Sequence, residues 1–142
     1  MILNADFVNK LRNSGLRPTK QRIKICEVLF NTEKTFHFTI NDLSKIISEK
    51  LSEKISLATV YNTVHAFKKK GYLKEISINS DKSYFDTNTS IHHHFYDEDT
   101  NELIDCSTND IDNIRVKNNI TGKKIKSVEV LIKVASDNQN QN

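Results

Sequence analysis

Residues 56–71, SLATVYNTVHAFKKKG, decide the class of fold. Ser56 can accept a backbone N–H from a first helical turn, and Gly71 can take the left-handed conformation that ends a helix, directly after three lysines suited to its negative end. A helix over residues 57–70 is predicted. On its wheel Leu57, Val60, Val64 and Phe67 form an apolar stripe, leaving Ala58, Thr59, Asn62, His65, Ala66 and Lys69 on the open arc with Tyr61 at its edge. Many surface helices show such an arc. It also meets the needs of a helix that reads DNA: small residues for close approach, an amide (Asn62) to pair with adenine, a ring (Tyr61) for a thymine methyl, and lysines for phosphate.

Upstream, NADFVNKLRNSG (4–15) reads as a short amphipathic helix stopped at Gly15, and RPTKQRIKICEVLFNTEK (17–34) as a second one opened by Pro18 and Thr19. Ile23, Ile25, Cys26, Val28, Leu29 and Phe30 leave the second apolar around most of its circumference, so it is expected to be central. Thr39 with Asp42 resembles a capping box ahead of INDLSKIISEKL (40–51), where Leu43, Ile46, Ile47 and Leu51 repeat at helical spacing. Downstream, YLKEISI (72–78) and KSYFDT (82–87) are strand-like runs around the turn NSDK. Three helices followed by a β-hairpin make a winged helix-turn-helix, here with an extra helix in front, over residues 1–88.

Beyond it the pattern changes to short strands (HHHFYDED and NELIDC), a helix near DIDNIRVKN (110–118), and a strand KIKSVEVLIKV (124–134) with alternating Ile125, Val128, Val130 and Ile132. The fold class is therefore α+β, the second domain being a small α/β unit over residues 89–135 whose sheet is too small to stand alone and is expected to be shared in a homodimer. The apolar-free tail SDNQNQN (136–142) is expected to be disordered.

Charge divides the chain in the same way. Residues 1–75 carry 14 Lys/Arg against 7 Asp/Glu, whereas residues 76–142 carry 7 against 11. The basic half suits a polyanion and the acidic half cations. Arg12, Arg17, Lys20, Arg22 and Lys24 follow one another with no acidic residue between them, a basic arm able to hold double-stranded DNA by its backbone or minor groove. No stretch approaches the roughly 20 apolar residues of a membrane span, and the N-terminus lacks a secretory pattern, so a cytoplasmic protein without a membrane partner is expected. Cys26 and Cys106 form no C-x-x-C pair; a structural thiolate zinc is not expected.

Three of the five histidines stand together in TSIHHHFYDEDTNELIDC (89–106). In a strand His92 and His94 share a face while His93 looks the other way. Asp86 lies upstream and Asp105 on the strand expected to pair back, so the donors are imidazole nitrogen and carboxylate oxygen, a set suited to Fe(II), Mn(II) or Zn(II). A small metalloenzyme would also need a general base or nucleophile at motif spacing. None is present, and an enzyme is not expected.

The segments GLRPTKQRIKICEVLF, TINDL, ISLATVYNTVHAFKKKGYLKEI, SYFDT and HHHFYDEDTNELID, spanning residues 15–106, resemble in order and spacing the ferric uptake regulator (Fur) superfamily. SLATVYNTVHAF, YFDTNTS and HHHF look most like the iron response regulators (Irr) of alphaproteobacteria. The resemblance implies a dimeric winged-helix transcription factor of iron and haem homeostasis, with Tyr61 and Asn62 on the base-facing part of its recognition helix and Arg17 at its minor-groove basic residue; Arg22 in the basic arm and Thr59, His65 and Lys69 on the open arc complete the residues expected to meet DNA. It places a regulatory metal site on His37, Asp86, His94 and Asp105, with aspartates where glutamates are usual and Tyr96 where a histidine is. A second family metal site would survive only as His93 and Asp112, since Phe95 replaces its aspartate, and is expected to be absent. The Irr-like pattern assigns His92, His93 and His94 to haem, while a Fur- or Mur-type regulator sensing Fe(II) or Mn(II) directly is the alternative.

Overall fold

Side-chain caps start three of the helices in the first of two compact units, which divide between Thr89 and Ser90 in this computed structural model. Residues 4–52 and 54–137 are described. Helix α1 spans Asn4–Asn13. In α2 (Lys20–Phe30) the Thr19 hydroxyl accepts the Arg22 N–H. In α3 (Ile40–Leu51) Thr39 and Asp42 form the reciprocal capping box, each side chain accepting the other's backbone N–H at 3.1 and 3.0 Å. In α4 (Leu57–Lys70) Ser56 accepts the Thr59 N–H, and the helix closes where Gly71 N–H donates to Lys68 C=O and Tyr72 N–H to Phe67 C=O. Gly71 at φ 93° supplies the left-handed turn that this paired closure needs.

The four helices bury one cluster that includes Leu11, Ile25, Leu29, Leu43, Val64 and Phe67. At ~1.5–3 kcal/mol for each large apolar side chain fully removed from water, it is the main source of this unit's stability. Helix α2 contacts α1, α3 and α4, the central position its apolar circumference predicts. One position on α4 differs from expectation: Leu57 is 51% exposed. It is the first helical residue, and the buried place at this end is taken instead by Ile55, just before the cap, with Val60 on the next turn.

Strands β1 (His37–Phe38), β2 (Lys74–Ser77) and β3 (Ser83–Asp86) form an antiparallel sheet of order β1-β3-β2. Two residues are too few to show an alternating pattern, so β1 was not predicted; its register sets His37 opposite Asp86 and Phe38 opposite Phe85. The hairpin of β2 and β3 is the predicted one, its turn held by Asp81 N–H donating to the Asn79 side chain.

In the second unit β4 (His94–Asp97), β5 (Glu102–Asp105) and β6 (Leu131–Val134) form a sheet of order β5-β4-β6, antiparallel on one side and parallel on the other. The helix expected near 110–118 is not formed, and the last strand begins at Leu131 rather than at 124. Residues 111–118 are rich in β-branched and Asn/Asp side chains, which lose most or compete with the backbone in a helix. Asp110 accepts the Ser107 N–H in such a competing turn, and Ile114 and Val116 remain exposed, so no packed face repays the ordering of a short helix. Ser136, placed by sequence in a disordered tail, donates its backbone N–H to Asp99 at 2.6 Å; residues 138–142 of that tail lie outside the described residues.

Candidate functional site

Two sets of nitrogen and oxygen donors are built, one in each unit. In the first, the short strand β1 presents His37 to its cross-strand partner on β3: His37 Nε2 lies 3.2 Å from Asp86 Oδ2. Asp86 is 1% exposed, and its other oxygen accepts the Asn88 N–H at 2.8 Å. A carboxylate so far from water is retained only when its oxygens have partners. In the second unit, Asp105 stands opposite His94 across β4 and β5, and its Oδ1 lies 3.2 Å from His94 Nε2 and 3.2 Å from His92 Nε2. Adjacent ligands around one ion with bonds of about 2.1 Å lie roughly 3 Å apart. His92, His94 and Asp105 are thus spaced as neighbours in one coordination sphere.

The ring orientations support the same chemistry. His92 Nδ1 is 2.7 Å from the Ser90 carbonyl oxygen, which only accepts, so Nδ1 carries a proton and Nε2 is the atom the neutral ring would offer to an ion. His93 is held in the opposite sense, its Nδ1 accepting the Val130 N–H at 2.9 Å. A neutral imidazole that accepts at Nδ1 carries its proton on Nε2, leaving no free lone pair for a metal. The triplet is therefore divided.

The pair His92 and His94 does not suit two-sided axial ligation of one haem. The rings of His92 and His94 have centroids 4.4 Å apart, inclined by 55°, and both aim Nε2 at the same carboxylate oxygen, whereas two axial ligands must face each other across a porphyrin. Tyr96, at the position where the family's histidine was expected, is buried and donates its hydroxyl to Asn101 Oδ1 at 2.8 Å. Burial pushes the Cys26 thiol up to about 12, and burial, then Asp110 and Asp105, raise that of Cys106, which disfavours the thiolate at both. The shared strand face already puts His92 beside His94 among the donors, although the set implied by the resemblance leaves it out; His92 lies just before β4, and its ring stands 4.4 Å from that of His94.

The residues assigned to DNA lie on α4, on the segment before α2 and, for Arg22, in the first turn of α2. Tyr61, Asn62 and Lys69 are exposed on α4, and Thr59 at its start packs its hydroxyl 2.8 Å from that of Ser56. Tyr61 is 51% exposed, as is Leu57 one turn earlier, so the open face is more apolar than the wheel suggested. His65 is only partly exposed, its ring 4.1 Å from that of Tyr61. Arg17 is exposed; Arg22 instead turns back, donating from Nη1 to the Arg17 carbonyl at 3.0 Å.

A helical unit with an open polar helix face, joined in sequence to a second unit that carries imidazole and carboxylate donors, is the layout of a metal-responsive transcriptional regulator. Residues 13–134 match the ferric uptake regulator family, and the chain belongs to that family. It is 33% identical over 121 residues to the peroxide operon regulator of Bacillus subtilis, covering 84% of this chain and 81% of that protein. It is 32% identical over 109 residues to the peroxide-responsive repressor PerR of Staphylococcus epidermidis, covering 77% and 71%. A structure of the ferric uptake regulator from Pseudomonas aeruginosa with manganese shares the fold, with a TM-score of 0.65 at 21% identity over 96% of this chain and 98% of that one. The protein is a DNA-binding regulator of metal homeostasis and not an enzyme. No helix among the described residues is long and apolar enough to cross a membrane.

Proposed function

We propose that this chain is a peroxide-responsive repressor, a homodimer of winged-helix units that reads DNA with α4 and is governed by one Fe(II) or Mn(II) ion per chain. The observation that carries the metal reading is the convergence of His92 and His94 on one oxygen of Asp105, with His92 oriented by Ser90. His92, His94 and Asp105 are three donors and His37 with Asp86 two, whereas a divalent first-row ion takes about four to six. Neither set completes a coordination sphere alone. The proposal is that one ion draws on both, restricting rotation between the units and so the spacing of two α4 helices on a duplex.

The sulfur-free donor set suits Fe(II) or Mn(II) better than a thiolate zinc. Bound Fe(II) supplies a one-electron reductant for peroxide, and Mn(II) does not. Similarity to two peroxide regulators supports this over an iron response regulator of the Irr type. The dimer is supported by the second unit's surface, where Ile104 on β5, Val134 on β6, and Ile114, Val116, Ile120 and Ile125 on the irregular stretch between those strands are exposed. The protein loaded anaerobically with Fe(II) should release a selected duplex on treatment with hydrogen peroxide, while the Mn(II) form stays bound. Equal retention by both forms, or release of the Mn(II) form by haemin, would refute the proposal.

A further inference from the structure

The open face of α4 carries an aromatic pair whose members differ in freedom. Tyr61 is 51% exposed, and a ring so placed on a bare helix exchanges rotamers that must be frozen when it meets a base. Here it is not bare. His65 follows one turn later, and helical side chains lean toward the N-terminus, which brings its ring to 4.1 Å from that of Tyr61 at an interplanar angle of 40°. The His65 ring also meets Phe85 edge-on, at 5.5 Å and 82°. Phe85 is buried on β3 and stacked at 5.9 Å on Phe38 of β1. His65 therefore stands between a mobile ring and the fixed core of its own unit, with aromatic neighbours on two sides.

That placement argues against the direct DNA contact assigned to His65 from its position on the wheel. We infer that His65 is a positioning residue for sequence reading: wedged against Phe85, it holds the Tyr61 ring in one orientation before DNA arrives, so that the ordering cost on binding is reduced. The inference rests on the assignment of α4 as the DNA-reading helix. An aromatic contact of this kind supports an effect of roughly three- to tenfold in equilibrium terms.

The test uses the full-length Mn(II)-loaded protein, a duplex selected by the wild type from a random library, and a random-sequence duplex as reference. Tyr61→Ala, His65→Ala, His65→Phe and the Tyr61→Ala/His65→Ala double variant are compared for preference between the duplexes and for the salt dependence of binding. His65→Ala should lower the preference roughly three- to tenfold at an unchanged salt slope. The double variant should be no worse than Tyr61→Ala, and His65→Phe, which keeps both ring contacts, should retain the preference. Additive losses in the double variant, no rescue by phenylalanine, or a flattened salt slope in His65→Ala would overturn the inference. Loss in Tyr61→Ala with none in His65→Ala overturns it alone. Full preference in Tyr61→Ala overturns the α4 assignment and the inference with it.

Discussion

Leu57 and Tyr61 apart, the first unit buries its large apolar side chains in one cluster, whereas the second leaves seven isoleucines and valines exposed among the described residues, Ile120 at 73%. Helices with caps at their starts and a turn-closed hairpin satisfy the backbone of the first unit locally, so its core closes on itself. In the second, three four-residue strands are joined through a long stretch without helix or strand. A three-stranded sheet of that size is marginal alone. The lesson is a division of labour: the helical unit has the means to fold by itself, and the sheet unit is the one that the proposed dimer would complete.

The contrast can be broken by substitutions on either side. The largest effect is expected in the helical core. Phe67→Ala, at a fully buried ring packed edge-on against Phe30, should cost about 3–5 kcal/mol in urea unfolding followed by far-ultraviolet dichroism. A loss below 1 kcal/mol would show that this unit does not carry the chain's stability. On the other side, Ile114→Ser with Ile120→Ser should leave the helical unfolding transition in place and shift sedimentation from dimer to monomer, since both side chains already face solvent in one chain. An unchanged dimer would mean that the exposed apolar surface serves something else.

Smaller effects sharpen the account of local structure. Ser56→Ala removes the cap of α4 and should lower stability by about 1 kcal/mol, read from the denaturation midpoint at unchanged m value. The smallest concerns Glu75. Burial acts to raise its pKa, but hydrogen bonds from Ser83 and Lys68, and then the charges of Lys68 and His65, outweigh it and hold the carboxyl below its usual value. Its contribution is therefore present above the unfolded-state pKa and lost as pH falls through the lower folded one. Glu75→Gln should flatten that acid limb slightly; an identical pH profile would mean that the 2.9 Å pair with Lys68 is screened by solvent.

The helical unit was legible because its signals are local. Thr19, Thr39, Ser56 and Gly71 each announce a helix end within four residues, and the structure uses all of them. What escaped depended on the rest of the chain. Strand β1 exists because Phe38 and His37 pair with Phe85 and Asp86, nearly fifty residues on. Leu57 reads as core on a wheel, but a wheel does not show where the packed partner ends. The helix near 110–118 had apolar spacing without a surface in the same chain to cover it.

The same distinction applies to the metal donors. Alternation along the strand foretold that His92 and His94 would look the same way, while the opposite tautomer of His93 depends on Val130, remote in sequence. The proposed peroxide response was not suggested by any single residue; it rests on similarity over 84% and 77% of this chain to two peroxide regulators.

The central claim is that His37 and Asp86, together with His92, His94 and Asp105, ligate one ion. Titration of the metal-free protein with Mn(II), followed by electron paramagnetic resonance of the free ion, tests it most directly. The account predicts one site per chain, weakened by His37→Ala as well as by His94→Ala, each beyond the roughly 10–100-fold cost of losing a ligand's supporting partner. Unchanged Mn(II) affinity in His37→Ala would contradict it, because the ion would then belong to the second unit alone.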